Sequence, residues 1–91
     1  MNIEQFKTTD SFKRFMAYAR DAGNWSGFPC VGGNVGGDAE DTGYLTNMKK
    51  AGLIKTQVDG GMAWITFTDA GMKLAMETDP KIKAWELGGE W

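Results

Sequence analysis

Apolar side chains first recur at helical spacing in Phe12, Phe15, Met16, Ala19 and Ala22, with Lys13, Arg14, Arg20 and Asp21 on the other sides. Thr9 or Asp10 stands where a cap is needed, and Gly23 where a helix would stop. Upstream, Ile3 and Phe6 follow Asn2 and predict a short helical turn on the same core. A second helix is predicted over 39–51. Asp38 is its cap, Glu40 and Asp41 lie in the first turn, and Lys49 and Lys50 in the last, as the helix dipole favours. Its apolar stripe is Tyr44, Leu45, Met48 and Ala51, and Gly52 closes it. The period then shortens to two. Leu53 to Val58 reads as a strand, Asp59-Gly60-Gly61 as a turn and Met62 to Phe67 as the return strand, giving a hairpin over 53–67. Thr68 caps a helix over 69–78, with Ala70, Leu74 and either Met72 or Ala75 facing inward. Asp79-Pro80 opens a short helix over 80–87, closed by Gly88-Gly89. The pattern predicts one α+β domain over 1–91, with three to four helices and a two-stranded antiparallel hairpin.

Between the first two helices runs a glycine-rich stretch, 23–37. It matches neither a phosphate-binding loop, since no Gly-Lys-Ser/Thr follows, nor the dinucleotide fingerprint. Trp25, Phe28, Cys30, Val31 and Val35 are too apolar for a free linker, so an ordered loop pinned to the core by its aromatics is expected.

Composition narrows the chemistry. The chain has 91 residues, one cysteine and no histidine, which excludes an internal disulfide, histidine-dependent nucleophilic catalysis and any histidine or cysteine-rich metal site. The oxygen-bearing group Asn34, Asp38 and Glu40 lacks the spacing of a calcium loop. Cys30 has no base to activate it and sits in a buried-looking Pro29–Val31 setting. No catalytic residue, cofactor or metal is expected. Ten Lys/Arg against twelve Asp/Glu leave a net charge of −2, which argues against gripping nucleic acid with the whole surface and leaves only a local basic face. No apolar run approaches the roughly 18 residues of a membrane span, and the first residues lack a basic leader, so a cytoplasmic setting is expected.

The phrase from Tyr44 to Ile54 with its Gly52-Leu53-Ile54 ending, then the hairpin, then Ile65-Thr66-Phe67-Thr68-Asp69-Ala70-Gly71, resembles the second half of a MarR-like winged-helix domain. The resemblance covers about residues 42–75 and implies a small winged-helix fold and a DNA-associated transcriptional regulator. It places helix 39–51 in the major groove of double-stranded DNA, offering Thr42, Thr46, Asn47, Lys49 and Lys50, with Lys55 and Gln57 on the wing. Asn can read adenine and Lys can neutralise phosphate. Two features differ from the family's usual pattern. The glycine-rich stretch stands where a helix normally precedes the recognition helix, and the wing tip reads Val58-Asp59-Gly60-Gly61 without a cation. Asp38, Glu40 and Asp41 also crowd the helix end that would approach phosphate.

Trp64 alternates with Ala63, Ile65 and Phe67 along its strand. It is either an exposed anchor for a protein or a stacked base, or a lid over the loop holding Trp25 and Phe28. Ile82, Trp85, Leu87 and Trp91 form an apolar strip that either folds back on the first long helix or pairs in a homodimer. Lys7, Lys13, Arg14 and Arg20 form either a modest basic face or an ordinary solvated one. The alternative to DNA binding is a protein-binding adaptor or inhibitor of the phage or mobile-element type.

Overall fold

A computed structural model of the protein describes residues 2–88. Helix α1 (Ile3–Phe6) is capped reciprocally: the Gln5 amide donates to Asn2 Oδ1 at 2.8 Å and the Asn2 amide to Gln5 Oε1 at 3.2 Å. Helix α2 runs from Asp10 to Asp21. Thr9 precedes it in extended conformation, but its hydroxyl donates to the Phe6 carbonyl and caps nothing. Gly23 does not stop the helix. The chain tightens into a 3-10 turn over Ala22–Trp25 and reverses at Ser26, which takes the left-handed conformation at φ 57°. The tightening follows from Asp21, whose carboxylate receives Asn24 and Trp25 from the next turn.

Helix α3 (Asp41–Lys50), strand β1 (Ile54–Asp59), strand β2 (Met62–Phe67) and helix α4 (Asp69–Thr78) follow in the expected order. The strands pair antiparallel from Ile54 opposite Phe67 to Asp59 opposite Met62, leaving a two-residue turn. Gly60 and Gly61 supply its positive φ values of 63° and 78°, matching the twist of a hairpin. The molecule is α+β, with four helices and a hairpin arranged as in a small winged-helix fold.

Two glycines explain why the hairpin joins its helices so tightly. Gly52 ends α3 at φ +74°, turning the chain so that Leu53 and Ile54 enter the core. Gly71, one turn into α4, lies against the Leu53 carbonyl so closely that a Cβ would collide with it. Thr68 locks the joint. Its hydroxyl donates to the Gly52 carbonyl at 2.6 Å and accepts from the Gly71 amide at 3.1 Å. Consequently α4 turns Gly71, Leu74 and Ala75 inward, while Ala70, expected on the inner face, is exposed.

The core gathers Phe6, Phe15, Met48, Leu53, Ile65, Phe67 and Leu74 between the helices and one sheet face, with Phe15 edge-on to Phe6 and Phe67. The glycine-rich stretch is ordered, and backbone pairing does much of the holding. The Val31 amide donates to the Ala63 carbonyl and the Ile65 amide to the Pro29 carbonyl, both at 2.9 Å, so Pro29–Val31 lies along the second edge of β2. Trp25 packs on Trp64 and Cys30 is buried, whereas Phe28 is 45% exposed, its ring beside Gly88 rather than in the core.

The helix expected over 80–87 shrinks to a 3-10 turn, Ala84–Leu87, ended by Gly88 at φ 83°. Asp79 Oδ1 accepts from the Lys81 amide as a cap would, and Oδ2 accepts from Arg20, but the chain makes only a turn over 79–82 before the 3-10 segment. Ile82 and Leu87 are buried, but Trp85 is 67% exposed, so the apolar strip is broken; Gly89 and Trp91 lie outside the described residues. Among the described residues, no helix is long and apolar enough to cross a membrane.

Candidate nucleic-acid interface

The start of α3 is built differently from the expected cap. Glu40 occupies the cap position in helical conformation without a side-chain bond, and Asp38 lies one turn earlier, its carbonyl accepting from the Asp41 amide. The Asp38 carboxylate is held by Arg14 in a two-point clasp, Nη1 to Oδ1 at 3.1 Å and Nη2 to Oδ2 at 2.7 Å. Arg14 Nη1 also reaches Asp41 Oδ1 at 2.9 Å, and the guanidinium stacks over the Tyr44 ring at 5.0 Å.

Asp41 is 3% exposed and fully engaged, accepting from the Tyr18 hydroxyl at 2.9 Å and the Gly37 amide at 3.2 Å as well as from Arg14. Gly36 makes this possible: at φ +78° it passes where a Cβ would strike both the Tyr18 oxygen and the Asp41 carboxylate. Hydrogen bonding from Arg14 holds the Asp38 carboxyl below its ordinary range. In turn, the Asp38 bond, opposed by burial and aided by Asp41, pushes the guanidinium further toward its charged form. Burial and then Asp41 push the Tyr18 phenol up. Of the three carboxylates expected to confront phosphate, Asp38 and Asp41 are thus neutralised in place. Glu40 alone stays exposed without an ion pair among the described residues.

The outward side of α3 carries Thr42, Gly43, Thr46, Lys49 and Lys50, all exposed, and a Cβ at Gly43 would touch nothing. Thr46 donates back to the Thr42 carbonyl at 2.8 Å, leaving its oxygen lone pairs outward. Asn47 does not join this set. It is half-buried and its amide donates to Ser11 Oγ at 2.9 Å, tying α3 to α2. On β1, Lys55 and Gln57 are exposed and stand opposite Thr66 and Trp64. Trp64 is half-buried edge-on to Trp25 at 5.7 Å, and its Nε1 donates to the Asp59 carbonyl at 3.2 Å, so it covers the glycine-rich stretch.

The sets of charges differ in their partners. Lys7 pairs with Glu4, Lys13 with Asp10, Arg14 with Asp38 and Asp41, and Arg20 with Asp79, so helices α1 and α2 present no unbalanced basic face. Lys49, Lys50 and Lys55 enter no ion pair among the described residues. The candidate cation group is dispersed. Asn34 donates to Asp21 and Asp38 binds Arg14, and among the described residues no three His, Cys, Asp or Glu side chains converge.

Asp21, Tyr18 and Arg14 organise this region, although their local sequence carries no signal of that role. Asp21 is 8% exposed and accepts from Asn24, Trp25 and Asn34 at 2.8–2.9 Å. Burial alone would raise its carboxyl, but those three donors prevail and hold it below the ordinary range. Tyr18 follows Phe15 of the apolar stripe by three, a helical spacing that does mark it as inward-facing. Compared with family models, curated proteins and solved structures, the chain matches none.

Proposed function

We propose that the protein is a non-catalytic, DNA-associated regulator that meets double-stranded DNA through the outward side of α3 and the base of β1. The observation carrying this reading is the contrast along α3: the carboxylates before and at its start are clasped by Arg14, while Lys49 and Lys50 at its end and Lys55 beyond are exposed and, among the described residues, free of acidic partners. Thr42, Gly43 and Thr46 make a slender polar surface, which suits entry into a groove about 12 Å wide. Lys49 and Lys50 serve as phosphate contacts; Lys55 and Gln57, on the strand beside them, reach the duplex only while the free edge of β1 is unoccupied. Asn47 is assigned to fold cohesion, since its amide is already spent on Ser11. Trp64 is assigned to the loop it covers, which removes the anchor on which a protein-binding adaptor would most depend.

The test is fluorescence anisotropy with a random-sequence duplex at low salt. Binding that Lys49→Ala and Lys50→Ala each weaken supports the reading, and absence of binding at low salt overturns it.

A further inference from the structure

We propose that the outer edge of β1 is a self-complementary surface that joins two copies of this chain into a two-fold dimer. The direction of the peptide groups follows from bonds already described. Ala63 and Ile65 turn their backbone groups to Val31 and Pro29, away from β1. Their register partners are Val58 and Thr56. In an antiparallel pair, opposed residues both bond across the pair or both face away from it. The peptide groups of Thr56 and Val58 therefore point off the free edge of β1, and among the described residues no loop or side-chain hydrogen bond reaches them. Val58 beside them is 76% exposed, the most exposed large apolar side chain among the described residues. An open edge with an apolar side chain is a template for another strand.

The charges on this strand select a second copy as the occupant. With Gln57 on the two-fold axis, an antiparallel β1–β1 pairing sets Thr56 opposite Val58 of the second copy, and each such pair exchanges both of its N–H···O bonds. The same register sets Lys55 opposite Asp59 of the second copy at a non-hydrogen-bonded position, where side chains approach most closely. Neither residue has an ion partner within its own chain among the described residues. The interface is isologous, so both opposite-charge contacts recur across the axis and the assembly closes at two copies.

Sedimentation equilibrium of the full chain, without nucleic acid, from micromolar to millimolar concentration tests this independently of the DNA reading. The wild type is expected to approach twice its 10.0 kDa mass. Lys55→Asp faces two carboxylates across each contact and should weaken association about tenfold or more. The double exchange Lys55→Asp with Asp59→Lys should restore it. Val58→Pro, which removes an outward amide at a position where an edge tolerates proline, should leave a monomer with an unchanged circular dichroism spectrum. A wild type that stays monomeric overturns the proposal. So does a dimer whose dissociation constant is unchanged in Lys55→Asp, since that dimer forms elsewhere. Because the charge exchange needs no backbone change, it decides the matter even if Val58→Pro fails to fold.

Discussion

The two ends of α3 handle charge in opposite ways. Before and at its N-terminal end, Asp38 and Asp41 are consumed by Arg14, Tyr18 and the Gly37 amide, and a short distance away Asp21 gathers Asn24, Trp25 and Asn34. At its C-terminal end and at the base of the hairpin, the joint is made by backbone and hydroxyl contacts among Gly52, Leu53, Thr68 and Gly71, while Lys49, Lys50 and Lys55 stand free. One side spends its ionic groups on folding; the other folds without them. A domain this small reaches only the lower part of the usual 5–15 kcal/mol of stability, so ionic groups committed to structure are not available for a partner.

The contrast predicts where substitutions hurt. Asp41→Ala strands a buried tyrosine hydroxyl and part of a guanidinium, and should cost about 4 kcal/mol in urea unfolding. Gly71→Ala drives a methyl group into the Leu53 carbonyl and should cost about 3 kcal/mol, but with no dependence on pH, because no charge is involved. Asp21→Ala should cost about 2 kcal/mol and raise hydrogen exchange across 24–35 while leaving the hairpin protected.

Acid should separate the two regions more gently. Asp21 and Asp38 titrate below their ordinary values in the folded protein, so the stability they contribute is present above the unfolded value of about 4 and lost as pH falls through the depressed ones. The urea midpoint should therefore drop below about pH 4, with the glycine-rich stretch exchanging first. A flat midpoint down to the depressed values would contradict the assignment of these carboxylates to folding. Smallest of all, Lys50→Ala should move the unfolding free energy by less than about 0.5 kcal/mol, whatever it does to binding.

What could be read from the chain alone divides along the same line. The lysine side is specified by local signals: Gly52 at a helix end, Asp59-Gly60-Gly61 between alternating strands, Thr68 three residues before Gly71. Each acts within a few positions, so the order of helix, hairpin and helix was legible. The carboxylate side depends also on partners 13 to 27 residues apart, and an aspartate bound for the interior looks in sequence like any polar helix residue. That is why Asp38 reads as a cap, Arg14 as part of a basic or solvated helix face, and Asp21 as a polar-side residue. The pairing of Arg20 with Asp79, 59 positions apart, likewise has no local signal. The candidate face was legible in Thr42, Thr46, Lys49, Lys50, Lys55 and Gln57, all exposed. Asn47 and Trp64 were harder, because what occupies them is the chance of which neighbour the fold brings alongside.

The most direct test is the salt dependence of duplex binding for two double variants. Lys49→Ala with Lys50→Ala removes free cations, whereas Lys13→Ala with Arg20→Ala removes cations already paired with Asp10 and Asp79. The slope of log affinity against log salt should fall by about two for the first pair and stay unchanged for the second. Equal losses from both, or a slope untouched by removing Lys49 and Lys50, would contradict the division of charge on which the account rests.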